Sequence, residues 1–154
     1  MKRVLFAALL MVAPLWCSAQ EIPAMSQVFK EMPDSLMPYL SKNNRLDMID
    51  FMEAKMKAVV NNLLDGKTVM TSLTADSLSI DMNGTLHIDM KIVPVATSSD
   101  SCLYNIQVRR IYTLNENQAE SVVDVYTSAW NRISSQVERS SLLKRDEKTF
   151  ESSH

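Results

Sequence analysis

The chain has 154 residues, 46% of them hydrophobic, with 16 basic and 18 acidic side chains for a net charge of −2. Mild acidity with no basic block argues against a nucleic-acid surface and against a charge-driven hold on anionic membranes. Two glycines leave no material for a phosphate-cradling loop, and two histidines with two cysteines give no zinc-ligand spacing.

Met1-Lys2-Arg3, the apolar run Val4–Trp16 and the polar Cys17-Ser18-Ala19-Gln20 follow the order of a secretory signal. The run is thirteen residues long and contains Pro14, whereas a spanning helix needs about 20 apolar residues. Small residues at Cys17 and Ala19 place cleavage between Ala19 and Gln20. Lipoprotein processing would acylate Cys17 and also needs a small residue before it, where this chain has Trp16. The expectation is therefore a soluble exported protein, periplasmic or extracellular, with a signal over 1–19. Without Lys2 and Arg3 it carries 14 basic against 18 acidic residues, a net charge of −4. Its one remaining cysteine, Cys102, reads as a small buried hydrophobe in a strand rather than a reactive thiol.

Ser26–Met32 reads as a short helical turn that stops before Pro33, because a residue preceding proline is pushed out of the α region. Pro33-Asp34-Ser35 reads as a turn, and Leu36–Leu40 as a short apolar segment broken by Pro38. A helix is predicted from about Arg45 to Asn62, capped by Asn44 with Asp47 three residues on. Leu46, Ile49, Met52, Met56, Val59 and Leu63 form its apolar stripe, although Val59-Val60 could already leave the helix. Asp47, Asp50, Glu53, Lys57 and Asn61 form the opposite face.

Strand patterns follow. Thr68–Thr74 is open between strand and helical turn, and Ser77–Ile92 is a hairpin. A three-residue loop Met82-Asn83-Gly84 would pair Ile80 with Leu86 and Leu78 with Ile88, keeping one face apolar. It predicts positive φ at Gly84, and a solvent face of Ser77, Ser79, Asp81, Thr85, His87 and Asp89. Ala96–Ser101 is a Ser-rich loop, and the alternation from Cys102 to Val108 breaks at Arg109-Arg110, which suggests a bulge. Asn115–Glu120 is a polar turn, Val122–Trp130 a last strand with apolar residues on both faces, and 131–154 a polar, frayed tail. Domains are then a signal at 1–19, one domain at 20–130 and the tail. The fold expected is α+β, with the helix at about 45–62 on one face of an antiparallel sheet of four to five strands.

No catalytic, cofactor-binding or metal residue is assigned, and no cofactor is expected. Asp47, Asp50 and Glu53 at i, i+3, i+6 could do acid–base work only if burial raised one pKa, and they face away from the apolar stripe. His87, read opposite Ser79 and near Asp89, could hold at most a weak surface ion. Met48, Met52 and Met56 at i, i+4, i+8 could offer thioethers to copper(I), against the simpler reading of core packing. Arg109-Arg110 could meet an anion or a partner's carboxylate.

The stretch Val28-Phe29-Lys30-Glu31-Met32-Pro33-Asp34-Ser35-Leu36-Met37-Pro38-Tyr39-Leu40, followed by Asn44-Arg45-Leu46-Asp47-Met48-Ile49-Asp50-Phe51, resembles the exported Bacteroidales family known as domain of unknown function 3256. Leu73–Leu78, Met90–Pro94 and Val125–Trp130 fall in the same order, so the resemblance runs from Val28 to Trp130 and departs from the pattern afterwards. It implies an envelope or secreted location and brings no activity or site residues. The residues read best as a non-catalytic envelope module that binds an unknown protein or glycan through a sheet face or edge. The alternative is a small envelope hydrolase using the acidic helix face. Neither reading involves a membrane span, and neither sets an oligomeric state.

Overall fold

The computed structural model describes residues 22–95, 104–115 and 118–141. The signal and its cleavage point, the 96–101 loop, Cys102 and the tail beyond 141 lie outside those residues.

Helix α1 (Met25–Glu31) ends at Met32, whose extended backbone (ψ 129°) is what Pro33 demands of the residue before it. A 3-10 turn at Asp34–Leu36 follows, then helix α2 (Lys42–Glu53). The cap of α2 is Ser41, not Asn44: its Oγ accepts from the Asn44 amide at 3.2 Å. Two capping residues stand three apart here, and the earlier one starts the helix. Asn44 then sits in the first turn, and its Nδ2 donates to the Asn61 carbonyl at 3.0 Å.

At the other end α2 stops nine residues sooner than the periodicity predicts. Lys55 takes a left-handed φ of 57°, its amide donates to Met52, and the Met56 amide donates to Phe51 at 2.8 Å. That pair of bonds is a Schellman motif, normally signalled by glycine. A lysine in that place hides the stop. The buried positions of α2 are Arg45, Met48 and Ile49, with Met52 half-buried, so the covered face is rotated from the predicted stripe toward Arg45.

Among the described residues seven antiparallel strands form one meander in chain order: β1 (Ala58–Asn61), β2 (Lys67–Leu73), β3 (Ser77–Asn83), β4 (Leu86–Pro94), β5 (Tyr104–Asn115), β6 (Gln118–Thr127) and β7 (Arg132–Ser141). The α+β class and the antiparallel sheet stand; the count of four to five strands does not. β1 occupies residues assigned to the helix. β7 occupies ten residues, from the second onward, of the segment assigned to a tail, and it pairs along β6 from Gln118↔Ser141 to Tyr126↔Arg132. An outer strand with both faces wet needs no apolar alternation, so its sequence carries no period-2 signal.

The β3–β4 register keeps the predicted parity but is displaced by two residues: Ile80 opposes Ile88, Leu78 opposes Met90 and Asp81 opposes His87. The chain reverses through Gly84-Thr85, with Asn83 opposite Leu86, and a bulge at Met82 restores the parity that this two-residue turn would have inverted. Gly84 has no positive φ. The turn is held instead by Asn83, whose Oδ1 accepts from the Thr85 and Leu86 amides, each at 2.9 Å.

No bulge interrupts β5 at Arg109-Arg110 either; the ladder with β4 runs unbroken from Tyr104 to Tyr112. The apolar phase breaks because an arginine occupies an inward position.

The core lies between the helices and one sheet face. Met25, Val28, Phe29, Met48 and Ile49 from the helices pack with Leu78, Ile80, Ile88, Met90, Ile92, Ile106 and Val108 from the sheet. Among the described residues no helix lies on the opposite face.

Candidate functional site on the open sheet face

Strand parity decides what the open face carries. With Leu78, Ile80, Ile88 and Met90 turned to the core, Ser77, Ser79, Asp81, His87, Asp89 and Lys91 must point the other way. The next strands add Gln107, Arg109, Ile111, Val123, Val125, Gln136 and Glu138 to that face.

Its centre is a hydrogen-bonded cluster. His87 Nδ1 lies 2.5 Å from Asp81 Oδ1, and His87 Nε2 lies 3.0 Å from Asp89 Oδ1. Ser79 donates its hydroxyl to the same Asp89 oxygen at 2.7 Å. Partial burial pulls the His87 pKa down, but the hydrogen bonds and charges of Asp81 and Asp89 outweigh it and hold the pKa above 6.5. Two carboxylates on one imidazole favour its doubly protonated form, in which both nitrogens donate.

Serine, histidine and aspartate are thus within reach of each other, but the wiring is not that of a nucleophile. A serine hydrolase needs an imidazole lone pair on the serine hydroxyl. Here Ser79 is bonded to a carboxylate, and neither imidazole nitrogen is left to take its proton. Among the described residues no three His, Cys, Asp or Glu side chains converge to hold a metal ion. Sequence reasoning named His87, Ser79 and Asp89 but paired His87 with Ser79. The two-residue displacement of the ladder makes Asp81 the direct partner instead.

The acidic helix row stands apart from this cluster. Asp47, Asp50 and Glu53 are all exposed. Glu53 reaches a shallow groove of about 280 Å³ with Ser26, Met52, Leu73, Thr74 and Ala75, which neither Asp47 nor Asp50 lines. The methionine row is dispersed: Met48 is fully buried, Met52 half-buried, and Met56 lies past the helix end and is exposed.

On the core side two arginines hold the α1–α2 connection. Arg45 is 1% exposed, with Nη2 donating to the Met32 carbonyl and to Asp34 Oδ1, each at 2.8 Å, and Nη1 to the Leu40 carbonyl at 3.3 Å. Arg110 donates Nη1 to Asp124 Oδ2 at 2.6 Å and Nη2 to the Leu36 carbonyl at 3.3 Å. Sequence reasoning gave neither arginine an inward role. The available signal was parity, since Arg110 and Asp124 fall in phase with the buried Val108 and Tyr126.

The family described as Protein of unknown function (DUF3256) matches residues 17–150. The chain belongs to that family. The match continues past Trp130, so the departure read there from sequence does not mark the family's end. The fold is shared with a domain of an uncharacterized protein from Porphyromonas gingivalis W83, at a TM-score of 0.56 and 23% identity over 70% of this chain. The match covers 52% of that chain, so this protein spans about half the length of its structural neighbour. No curated protein matches the chain.

Proposed function

We propose that this DUF3256 member is an exported, non-catalytic binding module of the cell envelope, and that its open sheet face receives another protein. The carrying observation is the wiring of that face. Asp81, His87, Asp89 and Ser79 are bonded to one another, and Arg109 reaches toward Glu138 at 3.9 Å. Groups fixed in this way give a rigid charge pattern for recognition and leave no base to activate a nucleophile. Half-buried Ile111, Val123 and Val125 lie among these charges, the mixed composition of a non-obligate protein interface.

A glycan fits this face less well than a protein. Sugar rings are held by stacking on aromatic side chains, and the described residues place none there: Tyr104, Tyr112 and Tyr126 share the inward parity of β5 and β6. The N-terminal pattern of charge, apolar run and small residues supports export.

The test compares capture from envelope extract by the wild type and by a Lys91→Glu, Arg109→Glu variant. Both positions are exposed on the open face. One discrete protein retained by the wild type and lost by the variant is expected. Equal capture by both, or hydrolytic turnover by the pure protein, contradicts the reading.

A further inference from the structure

The hairpin tip between β1 and β2 presents Leu63 and Leu64 to solvent, 64% and 63% exposed. Tyr39, 46% exposed, adjoins the tip through its backbone, its carbonyl accepting from the Leu63 amide at 2.9 Å. Two adjacent leucines on a convex turn bury little against their own fold. Exposed apolar groups gathered in this way mark a surface that meets something else.

The backbone of the tip decides what it can enter. Every amide from Asn62 to Gly66 is satisfied from within the protein. Asn62 donates to the Gly66 carbonyl at 2.8 Å, Leu63 to Tyr39, and Asp65 to the Asn62 carbonyl at 3.1 Å. Leu64 and Gly66 both donate to Asn62 Oδ1 at 3.0 Å. The buried Asn62 side chain is itself anchored by Nδ2 on Thr68 Oγ1 at 3.2 Å and on the Met82 carbonyl at 3.3 Å. Gly66 leaves room for this lock, since a Cβ there would sit 3.1 Å from Asn62 Nδ2. An exposed loop normally relies on water for its amide N–H groups, and leaving water strands them. This tip has no N–H from Asn62 to Gly66 left to strand.

We propose that the Leu63-Leu64 tip inserts into the interfacial layer of a lipid bilayer. Exposed Lys67 follows the tip in sequence, and exposed Lys42 lies between Tyr39 and Asn44, which bond Leu63 and Asn61. Lysines beside an apolar tip are the groups that lipid phosphates attract. Tyrosine, leucine and lysine grade from headgroup to acyl boundary as interfacial anchors do. The contact is shallow and independent of a spanning helix, of which the described residues contain none.

Flotation of the full chain with phosphatidylcholine vesicles, with and without phosphatidylglycerol, tests the insertion. A Leu64→Trp variant in a Trp16→Phe, Trp130→Phe background serves as a tip-specific probe. The expected results are a blue shift of the added tryptophan on vesicle addition, stronger flotation with phosphatidylglycerol, and at least a tenfold loss of partitioning in Leu63→Ser, Leu64→Ser at unchanged circular dichroism. Partitioning through the apolar run Val4–Trp16 would survive the double serine change and leave the Leu64→Trp emission unshifted, and that pattern overturns the proposal. Failure of the wild type to float also overturns it. The open-face reading is untouched by either outcome, because it rests on other residues.

Discussion

Arg110 and Asp124 meet diagonally across β5 and β6 at 2.6 Å, with 15% and 6% of their side chains exposed, in a sheet face otherwise given to Ile106, Val108 and Tyr126. The second guanidinium nitrogen ties the pair to the Leu36 carbonyl, 74 residues away in sequence. The ion pair thus replaces apolar packing where the α1–α2 connection crosses the sheet.

Removing one partner strands a charge in a dry site. Asp124→Ala is expected to destabilise the fold by about 3–5 kcal/mol. The double change Arg110→Met, Asp124→Leu is expected to recover to within about 1–2 kcal/mol of wild type, since an apolar pair of similar volume avoids desolvation. Urea unfolding of both variants checks this. A double variant no better than Asp124→Ala would mean that the Leu36 contact, not the ion pair, carries the energy.

Lys55 closes α2 in the left-handed region although it bears a Cβ. Its side chain is exposed and loses no packing on truncation. Lys55→Gly is expected to raise stability by about 0.5–1 kcal/mol, because the strain relieved exceeds the unfolded-state entropy gained. A lower melting temperature for the variant would contradict the Schellman assignment.

The two glycines should respond oppositely to alanine. A Cβ at Gly84 meets nothing within 4 Å, and its φ is not positive, so Gly84→Ala is expected to stabilise by about 0.4–1 kcal/mol. At Gly66 the same methyl presses on the anchored Asn62 side chain, and a net loss is expected. Thermal melts of the two variants beside wild type check the contrast.

These positions also show what the sequence could reveal. Period-2 parity identified the inward faces of β3 and β4 because a sheet with one dry face tolerates no slip of one residue. It left a slip of two undetected, since both registers keep the same faces. The stop of α2 was illegible because a lysine does the work of a glycine, and β7 because an outer strand wet on both faces carries no alternation. The candidate cluster was half legible. Asp81, His87 and Asp89 were placed on the solvent face correctly, while their mutual bonding depends on the register that parity alone could not fix.

His87 makes stability pH-dependent. Its pKa is raised in the fold by Asp81 and Asp89 acting against partial burial. Its contribution is therefore fully present below the unfolded-state value near 6.5 and is lost as pH rises through the higher folded value. Stability measured by denaturant is expected to decline over that interval in the wild type, and His87→Gln is expected to flatten the decline. An NMR titration in which His87 deprotonates below 6.5 would contradict the assignment.

The central claim is that the open face, with Asp81, His87 and Asp89 bonded to one another, is where a partner protein sits. A photoreactive amino acid placed at Gln107, on that face, and in a second strain at Asp47, on the exposed side of α2, tests it in cells. The account predicts one discrete cross-linked adduct from position 107 and none from position 47. No adduct at 107, or the same adduct from both positions, would contradict it.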